Sequence, residues 1–343
     1  MPGWRNGIRG GFKTLSLTGC GFESHPRHRI MMHMAFIRTV LLGALFLLAA
    51  PLTHAASLPV NTPDLFIQAT TSPVSDATVN LFCRLKAGNK MYTTTGSGVF
   101  VSERGVILTN AHVAQYFLFT SGKGRVRGSC DVRTGSPAKN AYTAELLYLP
   151  SSWITANATA LKQKERKGTG EGDFALLYVT GAAKGATLPE RFPYLQPSFL
   201  SPVLGDIVTI AGYPTYGRKV SDIQKELNRI TTTSSVANVR AFSPTGNIPE
   251  VLTTASTSVA SAGVSGGPVV RTDNTLAGIV VTKSDTQLRA ITPFHMNSYV
   301  VAETGTTLTG MLLGDLSARA AANRALIAPK QVLQLRDALL RIR

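Results

Sequence analysis

The sequence has few of the side chains that bind metals or staple small folds: six histidines and three cysteines among 343 residues. Three cysteines are too few for a disulfide-dense secreted scaffold. Neither Cys83 nor Cys130 has the Cys and His neighbours of a zinc site, so no metal and no cofactor is assigned. Long apolar runs are also missing. The longest, inside Met34–Ala56, is about a dozen residues, short of the roughly 20 that a spanning helix needs. No internal repeat is clear enough to use. Acidic residues are sparse, 19 against 35 basic, for a formal charge of +16. Residues 1–55 hold six of the basic residues and one acidic one, which leaves 29 against 18 beyond them, a balance of +11. That balance favours anionic partners or surfaces. The basic residues are scattered, however, apart from K-Q-K-E-R-K at Lys162–Lys167, which reads as a solvated loop. With no nucleic-acid motif beside them, no nucleic-acid partner is expected.

What is present begins with a leader. From Met34 the chain reads M-A-F-I-R-T-V-L-L-G-A-L-F-L-L-A-A-P-L-T-H-A-A-S: one arginine, an apolar run, then small residues suited to cleavage. This is the pattern of a secretory signal peptide over 31–55, cleaved after Ala55 or Ala56, with an uncleaved membrane anchor as the lesser reading. Residues 1–30 fit no part of it. G-F-E-S-H-P at Gly21–Pro26 is what the T-arm of a bacterial tRNA gene yields in frame, so a misassigned start is expected, with the true one at Met31, Met32 or Met34. Export places the protein in the periplasm or outside the cell, with membrane contact only through the signal. In such an oxidising compartment the even pair Cys83 and Cys130 favours a disulfide over free thiols.

The stretch S-A-G-V-S-G-G-P-V-V, residues 261–270, places Ser265 among glycines. Gly263 can adopt backbone angles closed to other residues, so that its N–H and that of Ser265 can converge on one point; Gly266 and Gly267 clear the approach to the serine. Alone, the stretch reads equally as a Gly-rich turn. A serine nucleophile needs a base and a group that orients the base. Four of the six histidines lie in or before the leader, leaving His112 and His295. His112 follows G-S-G-V-F-V-S-E-R-G-V-I-L-T-N-A-H-V, a hairpin whose second strand ends at Thr109 and delivers the histidine to a short helical turn. His295, in T-P-F-H-M-N, reads as a structural histidine in a late apolar strand. The carboxylate candidate is Asp173, at the head of the strand F-A-L-L-Y-V, where a turn or capping role is the ordinary reading.

T-N-A-H-V, G-D-F-A-L-L and G-V-S-G-G-P-V, in the order His, Asp, Ser, together resemble the trypsin/chymotrypsin-like serine endopeptidases, most closely the bacterial Deg/HtrA-type branch. The separations are 61 and 92 residues, and the order excludes the α/β-hydrolase and subtilisin arrangements. The resemblance covers roughly residues 78–305 and implies an all-β fold: two six-stranded antiparallel β-barrels meeting at a cleft. It implies the triad His112, Asp173 and Ser265, and an oxyanion hole from the Gly263 and Ser265 amides. It further implies an S1 pocket with Val259 and Ala260 at its base and the strand Gly278–Thr282 as a wall, with Val280, Val281 and Thr282 on the substrate side. Lys283 follows directly. Val264 stands where activated digestive members carry an aspartate that pairs with a new amino terminus, so that switch is not expected.

The domain plan is then an N-terminal arm (56–77), a first barrel (78–180), a Gly- and Pro-dense linker (181–200), a second barrel (201–305) and a helical tail (306–343). The tail is too short for a PDZ domain, and Ser317 is its expected helix cap, with Pro329 interrupting the pattern. A polar insertion is expected over 151–171 and a helix over Val220–Ile230. The expected function is a serine endopeptidase acting on proteins or peptides; the alternative is an inactive fold of the same kind used as a binding or adhesion module.

Overall fold

The computed structural model describes residues 72–340 except 88, 121–125, 161–169, 243–250, 255–261 and 284–286. The leader, the arm before Ser72, the run Lys162–Lys167 and the pocket residues Val259 and Ala260 lie outside the described residues.

A one-turn helix α1 (Val74–Ala77) leads into β1 (Thr78–Ala87), β2 (Lys90–Ser102) and β3 (Val106–Thr109). Helix α2 (Ala111–Ala114), a 3₁₀ turn (Gln115–Phe119), β4 (Val126–Thr134), β5 (Lys139–Tyr148), helix α3 (Ser151–Ala160) and β6 (Ala175–Ala182) follow. These six strands close into an antiparallel barrel in the order β1-β2-β3-β6-β5-β4. The second half runs β7 (Ile207–Gly212), helix α4 (Val220–Lys225), β8 (Ile230–Arg240), β9 (Val251–Thr254), β10 (Pro268–Arg271), β11 (Leu276–Lys283) and β12 (Leu288–Ile291). Its ring, β7-β8-β9-β12-β11-β10, repeats the connectivity of the first barrel. The expected all-β architecture of two six-stranded barrels is therefore the fold of the chain.

Strand alternation builds the cores. In β1, Val79, Leu81, Cys83 and Leu85 all turn to the interior of the first barrel, where Ile107 and Leu177 meet them. β3 is buried on both faces, since Val106 and Leu108 look the other way, toward a layer holding Leu176, Val270, Leu276 and Ile279 from both barrels. That is why β3 reads as an unbroken apolar run. The second barrel encloses Val208, Ile210, Val236, Leu252, Val269 and Val280. Cys83 and Cys130 sit opposite each other on β1 and β4 and are joined by a disulfide.

Beyond β12 come helices α5 (Pro293–Thr304), α6 (Leu308–Met311), α7 (Leu316–Ala325) and α8 (Pro329–Leu340). They are more than a tail. Met296, Leu308, Met311 and Leu316 join the layer between the barrels, and Ile327, Leu335 and Leu339 complete the core of the first barrel. No helix among the described residues is long and apolar enough to cross a membrane.

Several local expectations need correction. His295 lies on α5, not on a strand: Thr292 caps that helix by accepting the His295 N–H, and Pro293 stands in its first turn. Asp315, not Ser317, caps α7, accepting from the N–H groups of Ser317 and Ala318. Pro329 opens α8 instead of breaking a helix. The helix expected over Val220–Ile230 stops at Lys225, because Ile230 begins β8 and pairs with Gly212. The segment expected as a polar insertion begins with α3. Its first turn is held by Glu303 of α5, whose carboxylate accepts from the Ser151 and Ser152 backbone N–H groups at 3.0 and 3.2 Å.

Candidate active site

Strand pairing brings the first two site residues together across the chain. Thr109 and Ala175 are partners at the same end of the β3–β6 ladder. His112, three residues past the end of β3, and Asp173, two residues before the start of β6, therefore emerge side by side. The Asp173 carboxylate grips the histidine at two points. Its Oδ1 accepts the His112 backbone N–H at 2.9 Å, and its Oδ2 lies 2.7 Å from Nδ1 of the ring. A carboxylate accepts only, so the Nδ1–H donates to it and stays on the ring, which leaves Nε2 with a lone pair. Asp173 is itself fixed: Asn110 Nδ2 donates to its carbonyl at 2.8 Å, and its N–H donates to Gly170 O at 3.2 Å. On the other side of the histidine, Gln115 Nε2 donates to the His112 carbonyl at 2.7 Å.

The electrostatics follow from this contact. Burial acts to lower the His112 pKa, but the charge of Asp173 and its hydrogen bond outweigh it, and the pKa stands above the ordinary histidine value. The His112 side chain is 38% exposed and that of Asp173 is 9% exposed, so solvent reaches the ring but hardly the carboxylate. A base that is reachable from outside and held from inside is the arrangement proton transfer requires.

Ser265 is carried on the loop between β9 and β10. Gly263 and Gly266 both have positive φ, +93° and +84°, conformations that side chains disfavour. At both positions a side chain would also collide: a Cβ on Gly263 would meet the Tyr213 carbonyl, and one on Gly266 the Ser97 carbonyl and Thr109 Oγ1. Gly266 thus packs against Thr109 and Asn110, which brings the loop to the segment that leads into His112. The loop is pinned on its other side by Gly266 N–H to Val280 O at 2.8 Å and Val280 N–H to Gly267 O at 2.9 Å. Val264 is fully buried in the core of the second barrel. Among the described residues, the N–H groups of Gly263 and Ser265 donate to no other group, and Ser265 Oγ makes no hydrogen bond to His112.

The other sequence candidates fall in different places. The Val280 side chain packs inside the second barrel, so β11 meets the site there through its backbone. Val281 faces the opposite way and lines a small cavity with Gly170, Phe242 and Ile291, beside the turn that carries Asp173. Nothing is described of the Thr282 and Lys283 side chains. His295 is buried between the rings of Phe242 and Tyr299, with centroids at 4.7 and 5.1 Å, and takes no part in the His112 contacts. Among the described residues, no three His, Cys, Asp or Glu side chains gather within reach of one metal ion.

The residues that hold the site together, Ser97, Asn110, Gln115 and Tyr213, were not singled out from the sequence. Asn110 and Gln115 flank His112 closely enough to have been weighed with it. No curated protein matches the chain. Residues 96–279 match the sequence profile of the trypsin-like peptidase domain, a span that contains Ser97, His112, Asp173 and Ser265. With two six-stranded barrels closed around that span, the chain belongs to the trypsin-like peptidase family.

Proposed function

We propose that the protein is an exported serine endopeptidase that hydrolyses peptide bonds through an acyl-enzyme. The observation that carries this reading is the two-point grip of Asp173 on His112, which leaves Nε2 a lone pair on a partly exposed ring. In this mechanism Ser265 Oγ attacks the scissile carbonyl and gives its proton to His112 Nε2. The Gly263 and Ser265 N–H groups, free of other acceptors among the described residues, take the charge that develops on the carbonyl oxygen. His112 then protonates the departing amine, and a water molecule, activated by the same ring, releases the acyl group. The likeness of T-N-A-H-V and G-V-S-G-G-P-V to the Deg/HtrA-type branch supports placing the protein there. Export is supported by the leader pattern of Met34–Ser57 and by the Cys83–Cys130 bond, since disulfides persist in oxidising compartments.

The second reading, an inactive fold kept as a binding module, draws on one observation: Ser265 Oγ makes no hydrogen bond to His112. Such bonds are often long before substrate arrives, so their absence weighs little. Treatment with a fluorophosphonate probe separates the two. An endopeptidase is phosphonylated at Ser265; an inactive module is not labelled.

The raised pKa of His112 predicts a pH profile. The ring must be neutral to accept a proton, so kcat/KM should rise with pH through a midpoint above about 6.5. Asp173→Asn removes the charge that holds the midpoint up and should move it down. A wild-type midpoint at or below the ordinary value would contradict the contact as described.

Specificity at P1 follows from what the pocket wall lacks. The strand segment Gly278–Thr282 carries no carboxylate, and Val259 and Ala260 are apolar. A Lys or Arg side chain would be buried unpaired, at high cost, so small or medium aliphatic residues such as Val, Ala, Ile or Leu should be preferred. Discrimination among them should be modest, since one methylene is worth about 1–3 kcal/mol. Cleavage of a mixed peptide library measures this. Dominance of Arg or Lys at P1 would overturn the pocket assignment, and dominance of Glu would point to Lys283.

A further inference from the structure

Ser97 belongs to the first barrel, yet most of its hydrogen bonds go to the second. It is fully buried on β2, between Gly96 and Gly98. Its Oγ donates to Gly263 O at 2.7 Å and accepts from Tyr213 N–H at 2.9 Å, partners 166 and 116 residues away. Its N–H donates to Ser265 O at 2.8 Å. Its carbonyl accepts from Thr109 Oγ1 at 2.7 Å, which ties the same residue to the strand end that leads into His112. One residue thus holds the carbonyl at each end of Gly263-Val264-Ser265, the tripeptide whose two terminal N–H groups form the hole for the oxyanion.

The need for such a grip follows from Gly263 itself. At φ +93° a glycine pays no steric penalty, but it is equally free to leave that conformation. Glycine makes the required geometry accessible without making it unique. The Gly263 N–H itself lies in the Ala262–Gly263 peptide, whose carbonyl Thr215 holds through its N–H at 2.7 Å and its Oγ1 at 3.0 Å. The next plane, between Gly263 and Val264, sets the path of the chain on to the Ser265 N–H, and it can turn only if its carbonyl leaves Ser97 Oγ, a hydroxyl with little room to follow. A Cβ on Gly212 would come within 3.1 Å of it, and one on Gly98 within 2.9 Å of Ile107 Cγ2, so the strand is closely packed there. Oxyanion donors act by being aimed before charge develops, and a hole that must first reorient loses that advantage.

We propose that Ser97 is a positioning residue that selects the competent arrangement of the nucleophile loop from the opposite barrel. The inference rests on the serine-endopeptidase reading above. It is a statement about the transition state: substrate contacts elsewhere in the cleft are untouched by it, so the loss on removing the hydroxyl falls on kcat and not on KM.

The test compares wild type and Ser97→Ala by fluorophosphonate labelling and by turnover of a peptide that the wild type cleaves. The expected result is a variant that labels at Ser265 to full stoichiometry, but about 30- to 100-fold more slowly. Its kcat per labelled site should fall by a similar factor with KM within about 3-fold of wild type. The midpoint of its acid limb should stay at the wild-type pH, because Ser97 does not touch the His112–Asp173 pair. A peptide boronate, which mimics the tetrahedral intermediate, should lose affinity in step with kcat. Rates per labelled site within about 3-fold of wild type would overturn the proposal. So would a loss that appears only as a smaller labelled fraction, the sign of a merely structural role. Should Ser97→Ala not fold, Ser97→Cys keeps the volume with a poorer hydrogen-bonding group and is read the same way. Failure of the wild type itself to label would overturn the endopeptidase reading, and the role of Ser97 with it.

Discussion

Replacing Ser265 by alanine is expected to lower kcat by about 10⁵- to 10⁶-fold, and His112→Ala by as much, with the double variant no worse than either. In the proposed mechanism the nucleophile and its base act as one unit, so removing one leaves the other nothing to do. Asp173→Asn should cost about 10⁴-fold for a more specific reason. An amide in place of the carboxylate can still accept the His112 backbone N–H through its oxygen. Its nitrogen then faces Nδ1 as a donor, and the ring must hold its proton on Nε2, where it cannot accept one from Ser265. His295→Ala should leave kcat within a few-fold of wild type, since that ring is packed between Phe242 and Tyr299. Purified protein beginning near Ala56 and the titrated active-site concentration give these numbers directly. Undiminished turnover in the His112 variant would end the assignment.

Loss of the Cys83–Cys130 bond has the largest expected effect on stability. The bond closes 47 residues of chain, and in the chain-entropy treatment the unbridged unfolded state gains freedom worth about 4 kcal/mol. That is a large part of the 5–15 kcal/mol that typically holds a domain together. The bridged residues are directly opposed on β1 and β4 and their side chains lie in the first core, so Cys83→Ser with Cys130→Ser also buries hydroxyls among Leu81, Leu85 and Val132. Denaturant unfolding of the double variant against the oxidised protein measures the difference. Mass spectrometry of the non-reduced protein with two alkylatable thiols would exclude the bond.

Histidine scarcity is what made the candidate site legible. With His295 in an apolar stretch, His112 was the natural base, and the structure sets its ring on Asp173. The glycines around Ser265 were readable for the same local reason, because positive φ leaves a compositional mark. Ser97 and Tyr213 left none. Their bonds span 116 and 166 residues, and a serine between two glycines in a strand looks like any edge of a turn. The repeat of strand order in the two barrels was equally invisible, because each barrel requires only alternation of apolar residues, which many unrelated sequences supply. Elsewhere local signals compete. In T-P-F-H-M-N, Thr292 and Pro293 are a helix start, but the apolar strand before them drew the assignment onward. The helices after Gly305, α6 to α8, are expected from their pattern, but periodicity does not say what a helix packs against.

Ile327, Leu335 and Leu339 follow the whole second barrel in the chain, yet they finish the interior of the first. Domains ordinarily settle in the order in which they are made, the earlier one folding while the later one is still emerging. Here the six strands that carry His112 and Asp173 close among themselves, but part of the apolar cluster they build stays uncovered until nearly all the rest of the polypeptide has appeared. Covering it brings together segments more than 200 residues apart, the kind of contact that slows folding. A chain cut between β12 and α8 would therefore leave the first core without Ile327, Leu335 and Leu339, while the second barrel's core, built from its own strands and Val264, would keep every member.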